Sequence, residues 1–376
     1  MNQTIVFYVP SFGLRVGGAE RQAELLLQSF WLLSKKRVVI ICKSGVFRYD
    51  KLGSLQQIKN FAFRHSQSSF LKLVHIYQVL SFIYRLPRCN LIVHFHSLSA
   101  TALILGFFLS FLAPIRHRSA CVFKVPRTGP FSPLDWDQAS LFSKSLLKIN
   151  IKRKAVFVGL TPEAIDRLKN IGVSKSRCAL IPNGVPTVPL KKLKLWEKRR
   201  QNFLVVGRLI ERKKVMEILD AWIESGIVPG AKLYVIGDGP EMEAVREKTR
   251  SVLNKYSIVI CGALTAPQIE KFAKSSRYFV LGSDSEGLSN ALLEAMSFGL
   301  LPIVRDIPEN RYVVSHNYNG LLFQDRGELV TCLKQSKQNP LDQDFMTNSV
   351  NSVRERFDIA SVSGEYLKLY DKILMS

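Results

Sequence analysis

The stretch GSDSEGLSNALLEAM at Gly282–Met296 follows a short apolar run, Tyr278–Leu281, that is typical of a buried strand. Its own apolar residues recur at helical spacing, so the pattern predicts a turn and then a helix with one buried stripe. A strand, a turn and a helix in this order form the repeating unit of a doubly wound α/β domain. The predicted stripe consists of Leu288, Ala291, Leu292, Ala295 and Met296.

Two carboxylates lie at the start of this predicted helix, Glu286 just before it and Glu294 about two turns into it. A fully helical chain between them places the carboxylates roughly 12 Å apart, farther than the ~5–9.5 Å of a glycosidase pair. Such a separation suits a long polyhydroxylated ligand, with phosphate bound by the helix N-terminal amides of Gly287, Leu288 and Ser289. The structural alternative makes Glu286 a helix cap and Glu294 a solvated side chain.

Strand–loop–helix units recur on both sides of this stretch. They predict two Rossmann-like α/β domains, each a doubly wound sheet, facing across a cleft lined by the loops at the carboxyl ends of the strands. IPNGV at 181–185 and the basic run at 191–200 separate the two series, which places the domain boundary after residue 188. Strands are predicted at Thr4–Val9, Val38–Cys42, Leu91–His96, Cys121–Val125, Val156–Gly159, Phe203–Val206, Lys232–Ile236, Ile258–Cys261, Pro302–Val304 and Gly320–Phe323.

The net charge of +23 is unevenly distributed over the 376 residues. Residues 1–188 contain 26 Lys and Arg against 7 Asp and Glu, a net of +19, whereas residues 189–376 contain 27 against 23, a net of +4. A one-sided excess of positive charge predicts a polyanionic partner for the first half, either nucleic acid or an anionic membrane. The hydrophobic content of 47% is that of a globular protein and excludes a disordered chain.

Cysteine usage and apolar segments bear on the compartment. The six cysteines show no CxxC spacing, which favours a reducing cytoplasm over a disulfide framework or a zinc site, and the N-terminus shows no signal peptide. Leu98–Pro114 is at the lower limit for spanning a bilayer, and we expect a buried helix there. Phe70–Pro87 is an amphipathic helix that either packs on a sheet or lies on a membrane. Its predicted apolar face is Leu73, Ile76, Tyr77, Leu80, Ile83 and Tyr84.

Two further positions are typical of phosphate contacts. Gly17 and Gly18 lead from the first strand into a helix, where the backbone can approach a phosphate closely. Arg208 leaves a strand end and Lys213 follows it near the next helix, so both cations are expected at the edge where a pyrophosphate would bind. Each signal alone also fits a tight turn or a solvated basic residue.

Together these motifs resemble, over nearly the whole chain, the retaining GT-B glycosyltransferases of family four, also called glycosyl transferases group 1. The motifs follow in the family's order and spacing. They are GGAE at 17–20, IPNGV at 181–185, GRLIERK at 207–213, GDGPE at 237–241, EGLSNALLEAM at 286–296, DIPENR at 306–311 and NGLLF at 319–323.

The resemblance implies an acceptor-side domain at 1–188, a nucleotide-sugar domain at 189–356 and a C-terminal helix at 357–376 that crosses back onto the first domain. Glu286 would contact the donor sugar and Glu294 the ribose, while Arg208 and Lys213 would hold the diphosphate and stabilise its charge as it leaves. No metal or cofactor is required in this family. The other donor-side positions are Gly17, Gly18, Gly287 and Leu288 at the phosphates, and Gly237, Gly239, Cys261 and Leu264 beside the nucleotide.

The acceptor side departs from the family pattern. Many members carry a His after the strand that matches Cys121–Val125, where this chain has Lys124 and Arg127, and Lys214 stands where Gly is usual. His96, at the end of a neighbouring strand, is either a cleft residue or a structural one. The acceptor-side candidates are therefore His96, Lys124 and Arg127.

The expected function is that of a cytoplasmic, peripherally membrane-bound hexosyltransferase in cell-surface polysaccharide or lipopolysaccharide synthesis. It would move a sugar from a nucleoside diphosphate sugar to a glycan or lipid-linked acceptor, with retention of configuration and without a metal or a nucleic acid. The alternatives are a catalytically inactive GT-B scaffold and a nucleic-acid-binding protein that uses the basic first domain.

Overall fold

The computed structural model divides into two compact units, unit 1 (Met1–Gly184 with Ile359–Ser376) and unit 2 (Val185–Asp358). The chain thus leaves unit 1 within the IPNGV motif and returns to it for the last helix. The sequence predicts these divisions after residues 188 and 356. The structure is described for residues 3–12, 17–34, 36–43, 45–49, 55–60, 69–126, 140–193, 195–226, 230–250, 252, 255–338 and 343–375.

In the described part of unit 1, eight strands form one sheet: β1 (Gln3–Tyr8), β2 (Arg37–Cys42), β3 (Gly45–Tyr49), β4 (Leu55–Asn60), β5 (Asn90–Phe95), β6 (Arg118–Val125), β7 (Val156–Gly159) and β8 (Cys178–Leu180). Their order is β4-β3-β2-β1-β5-β6-β7-β8, parallel except at the β2–β3 and β3–β4 pairs. Strands β2, β3 and β4 follow one another on one side of β1, and strands β5 to β8 follow one another on its other side. The carboxyl ends of β1 and β5 therefore form the topological switch point, where open α/β sheets bind ligands.

Helices cover both faces of this sheet, which explains why β1, β2 and β5 are buried on both sides. The helices are α1 (Gly18–Leu33), α2 (Ser69–Tyr84), α3 (Ala100–Arg116), α4 (Leu141–Lys152) and α5 (Pro162–Asn170). Val6 and Tyr8 of β1 belong to the core that contains residues of α2, α3 and α4, whereas Ile5 and Phe7 belong to the core that contains α1. Within the described ranges, no helix is long and apolar enough to span a membrane.

Helix α2 buries a narrower stripe than the sequence predicts. Ile76 and Ile83 are buried, as predicted, together with Val79. Leu73, Tyr77 and Tyr84 were assigned to the same face but are 64%, 69% and 50% exposed, so that part of the prediction is wrong. The apolar residues surround too much of the helix for the sequence to indicate which arc packs on the sheet.

Unit 2 contains a second sheet, and its six described strands are all parallel: β9 (Arg200–Val206), β10 (Leu233–Ile236), β11 (Ile258–Gly262), β12 (Ser276–Leu281), β13 (Leu301–Arg305) and β14 (Leu321–Phe323). The order β11-β10-β9-β12-β13-β14 is that of a dinucleotide-binding Rossmann sheet, with the switch point between β9 and β12. Its helices are α6 (Val215–Ser225), α7 (Met242–Thr249), α8 (Ala266–Ser275), α9 (Asn290–Ser297), α10 (Pro308–Arg311), α11 (Arg326–Gln338) and α12 (Gln343–Arg356). The prediction of two Rossmann-like domains is confirmed.

The last helix, α13 (Ile359–Met375), belongs to unit 1. It packs beside α1, where the rings of Tyr366 and Tyr370 meet Phe30 edge-on. The Tyr370 hydroxyl lies 2.6 Å from Nδ1 of His94 on β5. Unit 1 thus buries polar groups of its C-terminal helix against its sheet.

Candidate functional site

The loops that follow β9 and β12 meet at the switch point of unit 2. The first loop turns through a short 3-10 helix at Glu211–Lys213, and the amide of Asp284 in the second loop donates to the Arg212 carbonyl at 3.1 Å. Both loops leave the carboxyl ends of neighbouring strands, so their side chains converge on one edge of the sheet.

Glu286 is the centre of this edge, 7% exposed and held by two cations. Lys213 Nζ donates to Oε1, and Nη1 of Arg212 lies 3.5 Å from Oε2. Burial raises the pKa of the Glu286 carboxyl, but Lys213 and Arg212 together lower it by more, so the pKa lies below its ordinary value. The carboxylate is therefore charged at neutral pH and presents acceptors for hydroxyl groups.

Helix α9 begins later than the sequence predicts. Its N-cap is Ser289, whose hydroxyl accepts from the Leu292 amide at 3.4 Å, so Glu286 does not cap it. Gly287 and Leu288 lie before the first helical residue, Asn290, and the prediction that their amides form the helix N-terminus is wrong. Because Ser is a strong N-cap and Gly disfavours a helix, the helix begins after both.

Glu294 is only the fifth residue of α9, about one turn into the helix rather than two, and is half-buried. The roughly 12 Å spacing of a continuous helix from Glu286 does not apply. Glu294 and Glu286 remain on the same strand–loop–helix segment at the switch point.

A second set of charged side chains contacts the loop that follows β12. Nη2 of Arg305, the last residue of β13, lies 2.6 Å from both carboxylate oxygens of Glu217, and its Nε donates to the Gly282 carbonyl at 2.8 Å. Lys214 Nζ lies 3.1 Å from Oδ2 of Asp284, an interaction that raises the pKa of Lys214. These contacts fix the loop that carries Glu286.

Lys214 has a left-handed backbone, with φ of 51° and ψ of 38°, at the N-terminus of α6. Gly adopts that conformation without strain, which agrees with the Gly that the resemblance leads us to expect here. Sequence reasoning noted Lys214 as a departure but missed Arg212, Asp284 and Arg305. Arg212 lies inside the GRLIERK motif, and Arg305 directly follows the predicted strand Pro302–Val304 at the same edge as Glu286, which is the only signal the sequence gives for either.

Arg208 is placed differently from Lys213. It follows β9 directly and is exposed, and its guanidinium makes no hydrogen bond or ion pair with any other residue the structure describes. Of the two predicted diphosphate ligands, the structure thus brings Lys213 to Glu286 and leaves Arg208 at the surface of unit 2.

Glycines allow the neighbouring loops to pack backbone against backbone. A Cβ at Gly237, where φ is 147°, would overlap the Gly207 carbonyl, and one at Gly239 would overlap the Leu209 carbonyl. These glycines therefore keep the loops after β9 and β10 in close contact. Cys261 lies near the end of β11 and Leu264 just beyond it, both half-buried.

In unit 1, Gly17 is the N-cap of α1 and makes no side-chain cap. Ser11 donates to the carboxylate of Glu20, which also lies where a Cβ of Gly17 would stand. His96 and Lys124, two acceptor-side candidates, are buried at the carboxyl ends of β5 and β6, while Arg127 lies outside the described residues. Across the ranges that the structure describes, no three His, Cys, Asp or Glu side chains form a metal-binding group, and all six cysteines, which fall in those ranges, are without disulfides.

Comparison with known proteins confirms the resemblance. Residues 190–346 match the family described as Glycosyl transferases group 1. The chain is 28% identical over 219 residues to UDP-Gal:alpha-D-GlcNAc-diphosphoundecaprenol alpha-1,3-galactosyltransferase of Escherichia coli, an alignment that covers 54% of this chain and 56% of that protein. It is 23% identical over 222 residues to the lipopolysaccharide core biosynthesis glycosyltransferase LpsD of Rhizobium meliloti (strain 1021), covering 57% and 63%. The chain thus spans little more than half the length of these relatives.

A solved structure has the same fold over almost the entire chain. The crystal structure of Anabaena HepE in complex with UDP-glucose aligns with a TM-score of 0.70 over 98% of this chain and 99% of that one, at 15% identity. At that identity the likeness establishes the GT-B fold alone.

Proposed function

Residues 190–346 belong to the glycosyl transferases group 1 family, and from this premise we propose that the chain transfers a sugar from a nucleoside diphosphate sugar to a glycan or lipid-linked acceptor. We further propose that the configuration at the anomeric carbon is retained and that no metal is needed. The expected setting is the synthesis of cell-surface polysaccharide or lipopolysaccharide.

The observation that carries the proposal is the Glu286 site at the switch point of unit 2. A buried carboxylate that stays charged can accept hydrogen bonds from two sugar hydroxyls. Lys213 and Arg212, which hold it, supply the positive charge that a departing diphosphate needs as its own negative charge grows. Donor binding would then separate the cations from Glu286: Lys213 and Arg212 would contact the diphosphate, and Glu286 would contact the sugar.

Arg208 supports the same role from a different position. Its guanidinium is exposed and, among the described residues, uncommitted to any carboxylate, so it is available to form a bidentate contact with the diphosphate. Glu294, on the helix after Glu286, is the proposed contact for the ribose hydroxyls.

A lipid-linked acceptor is favoured by the relatives and by charge. The Escherichia coli relative is named for a diphosphoundecaprenol acceptor, and another is named a GDP-mannose:cellobiosyl-diphosphopolyprenol alpha-mannosyltransferase. The net charge of +19 in residues 1–188 suits an acceptor that carries phosphate at an anionic membrane surface.

One face of unit 1 has the composition expected for such a surface. Helix α3 packs beside α2 and α4, and the three helices share the core on one side of the sheet. The guanidinium of Arg153 lies 3.6 Å from the ring centre of Phe111, a stacking that combines apolar area with positive charge. Large apolar side chains are exposed on all three helices: Leu73, Tyr77, Tyr84, Phe108, Phe111, Leu112, Leu141 and Phe142.

Vesicle flotation tests the membrane part of the proposal. Wild-type protein should float with vesicles rich in anionic lipid at physiological salt, and the variant Tyr77→Asp/Phe111→Asp should not, because two charges would be buried in the headgroup region. Leu32→Asp is the matched control, since Leu32 is 73% exposed on α1, which packs on the opposite face of the sheet. The membrane role fails if wild-type protein shows no preference for anionic lipid or if the control loses flotation equally.

The donor is identified by thermal shift with UDP-, GDP-, ADP- and dTDP-sugars, followed by turnover of the stabilising one. Arg208→Ala should reduce turnover by about 10²-fold or more by removing a contact to the developing charge. Arg246→Ala, an exposed Arg on α7, should leave it unchanged. Turnover that survives Arg208→Ala at the wild-type rate contradicts its role at the diphosphate.

A further inference from the structure

The buried amine of Lys124 has no counterion among the residues of unit 1 that the structure describes. Lys124 is the next-to-last residue of β6 and only 1% exposed, and Nζ has no hydrogen-bond partner in the part of the chain that the structure describes. An unpaired ammonium in such a place is costly, and a Met or Leu of similar size would be more stable. An anion bound beside the amine would offset this cost.

The two histidines beside Lys124 are neutral. His94 on β5 pairs in register with Val122 of β6, so the side chains of His94 and Lys124 lie on the same face of the sheet. His96 lies just beyond, with its ring centre 5.7 Å from that of His94. Burial and the nearby Lys124 hold the pKa of both histidines well below its ordinary value.

On this face, α13 places two tyrosines beside His94. Tyr370 of α13 lies 2.6 Å from His94, and the Tyr366 ring centre lies 5.3 Å from that of His94. Glu20 of α1, a carboxylate in the first turn, is bonded to Ser11. Burial alone lowers the pKa of Lys124, to about 7, so no described carboxylate offsets its charge.

The location is that of a ligand site. The amide of His96 donates to the Tyr8 carbonyl at 3.1 Å, at the ends of β5 and β1, which form the switch point of the unit 1 sheet. The backbone of Ala19 hydrogen-bonds the His96 ring, a contact that partly opposes the lowering of the His96 pKa, so the first turn of α1 lies at the same edge. An anion at this edge would meet both the N-terminal end of a helix dipole and the amine of Lys124.

We propose that Lys124 binds an oxyanion, and that a diphosphate oxygen of a ligand entering at the carboxyl edge of the unit 1 sheet is its missing counterion. The inference rests on the proposed transfer to a phosphate-bearing acceptor. The same chemistry is offered by a lipid diphosphate and by a nucleoside diphosphate. Because the amine is largely neutral above pH 7 in the free protein and charged in the complex, binding takes one proton from solvent.

Isothermal titration calorimetry at pH 8 in Tris and in HEPES measures this proton directly. The probes are farnesyl diphosphate, UDP and inorganic pyrophosphate. Wild-type protein should take up about one proton with the diphosphate that occupies the site. Lys124→Met should bind that probe at least tenfold more weakly and without proton uptake. Lys152→Met, at an exposed lysine of α4, should behave as the wild type.

The wild-type protein provides a readout that is independent of any variant. In protein labelled with 13C at lysine Cε, one resonance should titrate near pH 7 and move to its charged position when the diphosphate binds. Uptake with farnesyl diphosphate assigns the site to a lipid ligand, and uptake with UDP alone assigns it to the nucleotide.

The proposal is overturned if no probe binds, if Lys124→Met takes up the same number of protons as the wild type, or if no lysine resonance responds. These failures differ from failure of the proposed function. If nucleotide-sugar turnover persists in Lys124→Met with an unchanged KM for acceptor, the transferase assignment stands and the Lys124 proposal falls. If the wild type shows proton uptake but no turnover, the Lys124 proposal stands and the transferase assignment falls.

Discussion

The carboxyl edges of the two sheets differ in whether their charged side chains are paired. At the β9–β12 edge of unit 2, the charged side chains around Glu286 form ion pairs: Lys213 and Arg212 with Glu286, Lys214 with Asp284, and Arg305 with Glu217. At the β1–β5–β6 edge of unit 1, Lys124 has none, and the histidines beside it are neutral. At the unit 2 edge the side chains are charged in the free protein and paired with each other, and a ligand can replace one partner. At the unit 1 edge Lys124 becomes charged when an anionic ligand binds.

This difference has a physical consequence for stability. In unit 2, removing one partner of a buried ion pair leaves the remaining charge less compensated, which destabilises the fold. The lone amine of unit 1 opposes folding, and removing it should help. Substitutions at the two edges should therefore change stability in opposite directions while both reduce ligand binding.

The largest expected effect is that of Lys213→Ala. Turnover should fall by 10²-fold or more because a cation at the diphosphate is lost. The free energy of unfolding should fall by roughly 3 kcal/mol because Glu286 keeps only Arg212. Chemical denaturation and turnover measure the two effects, and Lys198→Ala, an exposed lysine of unit 2, is the control. Equal stability of Lys213→Ala and wild type would show that the ion pair is not formed in solution.

Lys124→Met should act in the opposite direction and raise the free energy of unfolding at pH 7 by roughly 1–4 kcal/mol. In the wild type, the pKa of Lys124 is about 7 when folded against its ordinary value of 10.5. Between these values the unfolded chain holds a proton that the native protein lacks, so stability rises with pH by up to about 1.4 kcal/mol per unit. This rise should be smaller in Lys124→Met by that amount. Parallel pH profiles for the two proteins would contradict the burial of an unpaired amine.

A smaller effect distinguishes the two helix N-termini. Ser289 caps α9 with its own hydroxyl, whereas Gly17 provides no side-chain cap to α1. Ser289→Ala should cost about 1 kcal/mol, a melting shift of a few degrees. The control is Ser361→Ala, at an exposed serine inside α13 of unit 1. A change below ~0.3 kcal/mol would indicate that the Ser289 cap does not support the loop that carries Glu286.

The sequence predicts unit 2 better than unit 1 for a physical reason. In unit 2 the strand–loop–helix units repeat regularly, and Gly237 and Gly239 mark the loops that pack backbone against backbone. This pattern predicts the sheet and its switch point. In unit 1, β3 and β4 are an antiparallel extension at the sheet edge that we did not predict: β4 is mostly polar, and β3 is a short, mostly apolar run of five residues.

Charge pairing was the part of the site that sequence could not supply. The motifs predict Glu286 and Lys213, but their contact, and the roles of Arg212 and Arg305, depend on which loops the sheet order brings together. Lys124 was named as an acceptor-side candidate from its position alone. That it is buried and unpaired within the described structure follows only from the packing of α13 and β5 around it.

Turnover of the stabilising donor by Glu286→Gln, compared with Glu355→Gln, tests whether the Glu286 edge binds and activates a nucleotide sugar. Glu355 is exposed on α12, so its substitution removes one carboxylate charge from unit 2 outside the site. We expect Glu286→Gln to fold and to lose turnover by about 10²-fold or more, while Glu355→Gln retains the wild-type rate. Wild-type turnover by a folded Glu286→Gln protein would contradict this role of the Glu286 edge.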